Sequence, residues 1–284
     1  MSRIAYVNGA YVPMDMAFVH IEDRGYQFAD GVYEGIAIAG GNLIDLEPHL
    51  DRLERSLNEL QINMPMGRRA MTVVFKETVR RNRLTDAFLY VQVTRGVAKR
   101  DHPFPANALS TLVVTARRLD LAAVKARAQV GIKVSSQPDI RWGRCDVKSI
   151  SLLPNILAKQ AAREAGGFEA VLYDEDGYVT EGSSTNIWMV TPDGTLVTRS
   201  TDGNILPGIT RATLMKIAEE LQMKVEARAF TLEEAKAASE MFLTSSTSCA
   251  MPIVEFDGEI IGDGTPGTTA KRLAEAYWTY IDSH

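Results

Sequence analysis

Disulfide chemistry has little to work with in this chain. Its 284 residues contain only two cysteines, Cys145 and Cys249, too few for a disulfide framework, so both are expected to be reduced. Histidine is scarce as well. His20, His49, His102 and His284 are scattered, and no His-Glu-x-x-His or Cys-x-x-Cys spacing is present to hold a transition metal. No apolar run reaches the roughly 18 residues that a membrane-spanning helix needs, and the opening residues turn polar at Asn8-Gly9 before a leader-like core can form. Cytoplasmic residence is the expectation. A basic surface is also lacking: the net charge is −5, and the local run Arg80-Arg81-Asn82-Arg83 reads as a solvated helix end, so no nucleic-acid partner is expected.

What is present is ordinary globular material, 45% hydrophobic and 24% charged, enough for two domains with substantial cores. Leu46, Leu50, Leu53, Leu57 and Leu60 recur at steps of four and three, as do Met71, Val74, Phe75, Thr78 and Val79, which predicts two amphipathic helices. Strand-like runs follow at Phe88–Thr94 and Ser110–Thr115, separated by a proline-containing loop that includes Arg100 to Pro105. These elements predict a small N-terminal α/β domain over residues 1–118. Leu119 to Arg127 lacks strand alternation and reads as a connector over 119–127.

Residues 128–284 then form a larger domain in which hairpins alternate with helices. Asp174-Glu175-Asp176-Gly177, Thr191-Pro192-Asp193-Gly194 and Asp257-Gly258 mark turns between apolar runs. Helices are expected at about Asn155–Ala165, Thr210–Leu221, Thr231–Ala238 and Thr268–Tyr280, the third supported by the capping-box spacing of Thr231 and Glu234.

Four segments carry chemistry. Lys148 closes the stretch Trp142-Gly143-Arg144-Cys145-Asp146-Val147-Lys148, where its amine can emerge at a strand end rather than on an open face. Glu181 follows a hairpin strand and precedes Gly182-Ser183-Ser184, small residues that let a ring approach the backbone. Asn204-Ile205-Leu206-Pro207-Gly208-Ile209-Thr210 leads into a helix, with a glycine before a Thr210 N-cap and the N–H groups of Ile209 and Thr210 turned toward an anion. Thr244-Ser245-Ser246-Thr247-Ser248 lines up five hydroxyls. Each alone has a bland reading: a surface cation, a turn carboxylate, a helix cap, a loop. Together they supply what pyridoxal phosphate chemistry requires: an amine, a carboxylate that keeps a pyridine nitrogen protonated, and a phosphate cup.

Taken together these segments resemble the class IV, fold-type-IV pyridoxal phosphate aminotransferases, and the resemblance runs along essentially the whole chain. Ile21–Glu34 looks like the family's first long motif, and His49-Leu50-Asp51-Arg52-Leu53 looks like its second. The resemblance implies that Lys148 is the Schiff-base lysine and catalytic residue and Glu181 the pyridine partner. It assigns Arg52, Leu206, Ile209, Thr210 and Ser246 to the cofactor. It implies a mixed α+β fold whose larger domain has a barrel-like sheet with helices around it.

Thr94–Pro105 is similar to the corresponding stretch of the D-amino-acid branch. Arg100 and His102, two apart in an extended segment, fall on one side and can grip one carboxylate. In that branch the pair comes from the partner subunit and works with a tyrosine matching Tyr33, which implies a homodimer. Thr247 and Gly35 complete the expected substrate contacts.

Tyr33-Glu34-Gly35-Ile36 is more like the branched-chain L-amino-acid branch, although the arginine often found two residues after that glycine is here Ala37. Gly35 either widens the pocket or marks a bulge or close backbone approach. The expected reaction is transfer of an amino group from D-amino acids of the D-alanine or D-glutamate type to 2-oxoglutarate or pyruvate. The alternatives are a branched-chain L-amino-acid transaminase, an (R)-amine transaminase, an aminodeoxychorismate lyase, or a cofactor-free binding protein on the same fold.

Overall fold

The structure is a computed structural model that describes residues 3–202 and 205–283. It divides into two compact units. The first runs to Asp120 and includes Val147–Ser151; the second is Leu121–Asp146 with Leu152 onward.

The first unit holds β1 (Ile4–Val7), β2 (Ala10–Pro13), α1 (Arg24–Phe28), β3 (Gly31–Ala39) and β4 (Asn42–Leu43). Helices α2 (Leu46–Glu59) and α3 (Arg68–Asn82) follow, then β5 (Ala87–Thr94) and β6 (Thr111–Arg118). The strands pair antiparallel in the order β2-β1-β6-β5-β3-β4. Strand alternation decides which face is which. Ala87, Leu89, Val91 and Val93 of β5 are buried, whereas Phe88, Tyr90 and Gln92 between them are only half-buried.

The helices cover the first of these faces. Leu50, Leu53 and Leu57 of α2 and Met71 and Phe75 of α3 pack with the strands' buried residues into one core, at the spacing their periodicity predicts. Each such leucine contributes about 1.5–3 kcal/mol by burial. Leu46 and Leu60, at the ends of the stripe, are only partly buried.

The second unit opens with α4 (Leu121–Val130), followed by β7 (Ile132–Pro138), α5 (Leu153–Glu164), β8 (Glu169–Tyr173), β9 (Val179–Gly182), β10 (Asn186–Val190) and β11 (Leu196–Thr198). It continues through α6 (Ile209–Glu220), β12 (Val225–Ala227), α7 (Leu232–Lys236), β13 (Glu240–Ser245), β14 (Cys249–Phe256), β15 (Glu259–Ile260) and α8 (Thr268–Asp282). The segment expected as a bare connector is thus mostly helix α4. None of its residues is buried, so it has no apolar stripe to read, while its alanines and basic residues favour a helix locally.

Its nine-stranded sheet runs β12-β11-β10-β13-β14-β7-β8-β9, with β15 pairing β14. The three predicted turns do close hairpins, β8–β9, β10–β11 and β14–β15. The remainder is not all hairpin. β7 and β8 lie parallel with α5 as their crossover, β11 and β12 lie parallel across α6, and β14 pairs parallel with β7. β9, at one end of the sheet, also packs beside β10, so the sheet curls into a half-barrel. The capping box forms as expected, with Thr231 Oγ1 accepting from Glu234 N at 3.1 Å. Among the described residues no helix is long and apolar enough to cross a membrane.

Candidate active site

In the first unit, Lys148 is held from both sides by backbone. Its N–H donates to Ser56 Oγ at 3.3 Å, and its carbonyl accepts from Tyr33 N at 3.0 Å. Ser149 bridges to Val32, and Ile150 N donates to Gly31 O, so the segment lies along the start of β3. This brings the Lys148 Nζ to 4.2 Å from the centroid of the Tyr33 ring, an ammonium over a π face. Tyr90 of β5 packs against Tyr33 with centroids 5.7 Å apart. Burial and the neighbouring Tyr33 push the Tyr90 hydroxyl up to about 12.

Beside it, Glu34 points to the opposite face of β3 and is 1% exposed. Arg52 donates to both its oxygens, Nε to Oε1 and Nη2 to Oε2 at 2.8 Å each, and His49 Nδ1 lies 2.7 Å from Oε2. Burial alone raises a carboxylate's pKa. Here Arg52 and His49 outweigh it and hold Glu34 well below the usual carboxylate range. Burial pushes His49 the other way from a cation, lowering its pKa despite Glu34. The clamp fixes the plane of the Arg52 guanidinium.

Arg100 and His102 lie exposed in the loop after β5. The structure does bring them together. The Phe28 ring, on α1, lies 4.5 Å from the Arg100 guanidinium and 5.7 Å from the His102 ring. Arg24 ties down the loop backbone by donating to the carbonyls of Asp101 at 2.6 Å and His102 at 3.2 Å, while its Nε donates to Asp30 at 2.7 Å. The first long motif therefore builds the platform on which the Arg-x-His pair stands.

In the second unit Glu181 is 4% exposed and takes donors from three segments. Arg141, in the loop after β7, donates Nη1 to Oε1; Asn186 Nδ2 donates to Oε2 at 3.1 Å; and Leu206 N lies 3.2 Å from both oxygens. Asp139 in turn accepts from Arg141 Nε at 2.8 Å and Nη2 at 2.6 Å, and from Thr180 Oγ1 at 2.7 Å. A cavity of about 170 Å³ opens on this loop, lined by Asp139, Arg141, Cys145 and Thr180 among others. Burial pushes the Cys145 thiol up to about 11.

Helix α6 starts one residue earlier than predicted. Its N-cap is Gly208 in an extended conformation, not Thr210, because Pro207-Gly208 ends the preceding backbone and no side chain caps the helix. The first-turn N–H groups of Ile209 and Thr210 thus have no intrahelical acceptor. Asn186 links this turn to Glu181, since its Nδ2 also donates to Leu206 O at 3.0 Å, and a Cβ on Gly208 would fall 2.0 Å from its Oδ1. Asn204, the first residue of the predicted anion segment, lies outside the described residues.

Ser246 and Thr247 occupy the tight β13–β14 turn, where Ser248 N donates to Ser245 Oγ at 3.1 Å and Ser245 and Thr247 hydroxyls sit 3.4 Å apart. Helix α6 packs on β13. Gly182 was expected to let a ring approach. A Cβ there would also crowd its own turn, meeting Thr185 Oγ1 at 2.1 Å.

The match to known proteins now decides the family. Residues 31–256 fit the model for "Amino-transferase class IV". The chain belongs to the class IV aminotransferases. A D-alanine aminotransferase from Bacillus licheniformis is 40% identical over 95% of this chain and 94% of its own. One from Staphylococcus haemolyticus is 35% identical over 98% of each. Among solved structures, the T.th. branched-chain amino acid aminotransferase with pyridoxamine 5'-phosphate superposes with a TM-score of 0.90 and 27% identity, over 99% of this chain and 94% of that one.

For this class IV aminotransferase, the sequence missed Arg141 and Asn186 as partners of Glu181, Asp139 as the partner of Arg141, and Phe28 and Arg24 as supports of Arg100 and His102. Asp139 and Arg141 sit in a loop with no periodic pattern. Phe28 and Arg24 lie inside the Ile21–Glu34 motif, but only the fold shows what they hold.

Proposed function

We propose that this protein is a pyridoxal 5'-phosphate-dependent transaminase that takes the amino group from D-amino acids, of the D-alanine or D-glutamate type, and gives it to 2-oxo acids such as 2-oxoglutarate or pyruvate. The observation that carries the reading is Lys148, a single amine fixed through its backbone to α2 and β3 and held over an aromatic face. The second unit's residues fit the cofactor. A buried carboxylate suits a protonated ring nitrogen, and an N-terminal helix turn that no side chain caps suits a phosphate dianion.

When bound, the cofactor withdraws electrons from the substrate's α-carbon. Lys148 holds the cofactor and later moves the proton at the α-carbon. Glu181 keeps the ring nitrogen protonated, with Arg141, Asn186 and Leu206 N–H fixing the carboxylate. Ile209, Thr210, Ser246 and Arg52 bind the phosphate, Arg52 with its plane preset by Glu34. Tyr33, Arg100, His102 and Thr247 orient the substrate, and the Arg-x-His pair grips its α-carboxylate. On this reading the protein is a cytoplasmic homodimer in which Arg100 and His102 serve the partner's site. The exposed Phe18, Ile21 and Tyr26 beside that loop's supports favour such pairing.

One observation favours a second reading. Gly35, in Tyr33-Glu34-Gly35-Ile36, matches the branched-chain pattern, so an L-amino-acid donor is the competitor. The visible spectrum of the cofactor-loaded protein, with D-alanine or L-leucine added without acceptor, separates them. The cofactor's absorption band is expected to fade with D-alanine alone. Fading with L-leucine alone would overturn the D-amino-acid assignment.

A further inference from the structure

The open face of the first unit's sheet carries Tyr33, Gly35 and Ala37 of β3, opposite Gln92, Tyr90 and Phe88 of β5. Pairing is continuous from Gly31 to Ile38, so Gly35 is not a bulge. Nor does it leave open space. A Cβ placed on it would lie 2.7 Å from both Cε2 and Cζ of Phe88, whose ring leans across from the neighbouring strand into the volume a side chain at 35 would fill. The Arg117 guanidinium on β6 stacks on the same ring, 4.9 Å from its centroid, which holds the ring down on the sheet. Two residues back along β3, about 7 Å away by strand geometry, Tyr33 carries the Lys148 amine. An aromatic wall therefore stands on the same sheet face as the tyrosine over which the Lys148 amine sits, two residues further along β3.

We propose that Phe88 sets the size limit for the substrate side chain, and that Gly35 serves to admit its ring rather than to enlarge the pocket. The proposal rests on the transaminase reading. It assigns the site to small and unbranched D-amino acids, with β-branched and aromatic side chains excluded by the ring. Phe88 touches the substrate side chain and takes no part in proton transfer.

Two measurements test it, one of them independent of activity. In a double-mutant cycle read by thermal unfolding of the purified protein, Gly35→Ala is expected to lower Tm in the natural background and to have little effect beside Phe88→Ala, since ring and methyl compete for one space. In steady-state kinetics, Phe88→Ala is expected to raise kcat/KM for D-phenylalanine relative to D-alanine at least tenfold, mostly through KM. Phe88→Leu, which keeps more of the volume, should fall between.

Additive Tm changes would overturn the shared-volume argument. A substrate ratio unchanged within threefold in both variants, with D-alanine still turned over, would overturn the size filter. If the unmodified protein reacts with no D-amino acid while the unfolding cycle still shows coupling, the transaminase reading fails and takes the filter's substrates with it.

Discussion

Each unit buries one glutamate in an arginine's grip, and the two are built in different ways. Glu34 takes both of its side-chain partners from one helix, His49 and Arg52, three residues apart on the same face of α2. Glu181 gathers donors from the loop after β7, from β10 and from the approach to α6. The first is a local lock between a strand and the helix that covers it. The second is a meeting point that draws Arg141 from 40 residues away and Leu206 from 25. A carboxylate clamped within one helix–strand pair serves the fold first, whereas one that ties a loop, a strand and a helix approach together is placed to shape a site.

The largest effect is expected at Lys148, the amine of the proposed reaction. Lys148→Ala is expected to cut turnover by about a thousandfold or more, as loss of a nucleophile and proton carrier does, with Tm little changed. Stopped assays with D-alanine and a 2-oxo acid check it; activity near the natural level would remove Lys148 from the mechanism.

Next come the two glutamates, which should separate cleanly. Glu34→Gln breaks a buried ion pair and should destabilise the protein by about 3–5 kcal/mol, read by denaturant unfolding. Glu181→Gln leaves Arg141 its bidentate Asp139, so it should cost only about 1–3 kcal/mol of stability while lowering kcat roughly a hundredfold. Equal stability losses with unchanged kcat would erase the distinction.

Arg100→Ala should remove about 2–4 kcal/mol of transition-state binding, mainly in kcat/KM. It should do so without moving the unfolding midpoint, because Arg100 is exposed.

The smallest effect is in pH. Glu34's folded pKa lies below its ordinary 4.5, so its stabilisation is complete above that value and is lost as pH falls through it. His49 is also lowered, from 6.5, so the unfolded chain takes up that proton first and stability begins to fall below about pH 6.5. Tm should therefore drop slowly from pH 6.5 and more steeply below 4.5. Glu34→Gln should shrink the steep part, leaving the share that Asp30 and Asp139 contribute, and an unchanged profile in that variant would contradict the clamp.

Much of this was legible before the fold. The leucine spacing of α2, the Thr231 capping box and the hairpin turns rest on interactions within a few residues, which a linear pattern records. Lys148, Glu181, Arg100 and His102 stood out as candidates because motifs surround them. What the sequence hid was long-range or pattern-free. The α4 helix buries nothing and so shows no stripe; the true cap at Gly208 depends on one proline; Arg141 finds Glu181 across forty residues. Gly35 read either as room for a substrate or as a bulge or close backbone approach, and its neighbour Phe88 stayed hidden because strand pairing brings it from far along the chain.

The short stretch Val147–Ser151 belongs to the first unit although the chain on either side belongs to the second. Val147 is 3% exposed within the first unit's core, and Lys148 is bonded to Ser56 and Tyr33. During synthesis, then, the N-terminal half cannot finish folding when its own last strand emerges. It must wait until residue 151 has left the ribosome, with β7 already made. A fragment ending at Asp120 would lack one core side chain and the amine itself, and mixing separately produced halves cut there would have to thread this loop back into place before any chemistry returned.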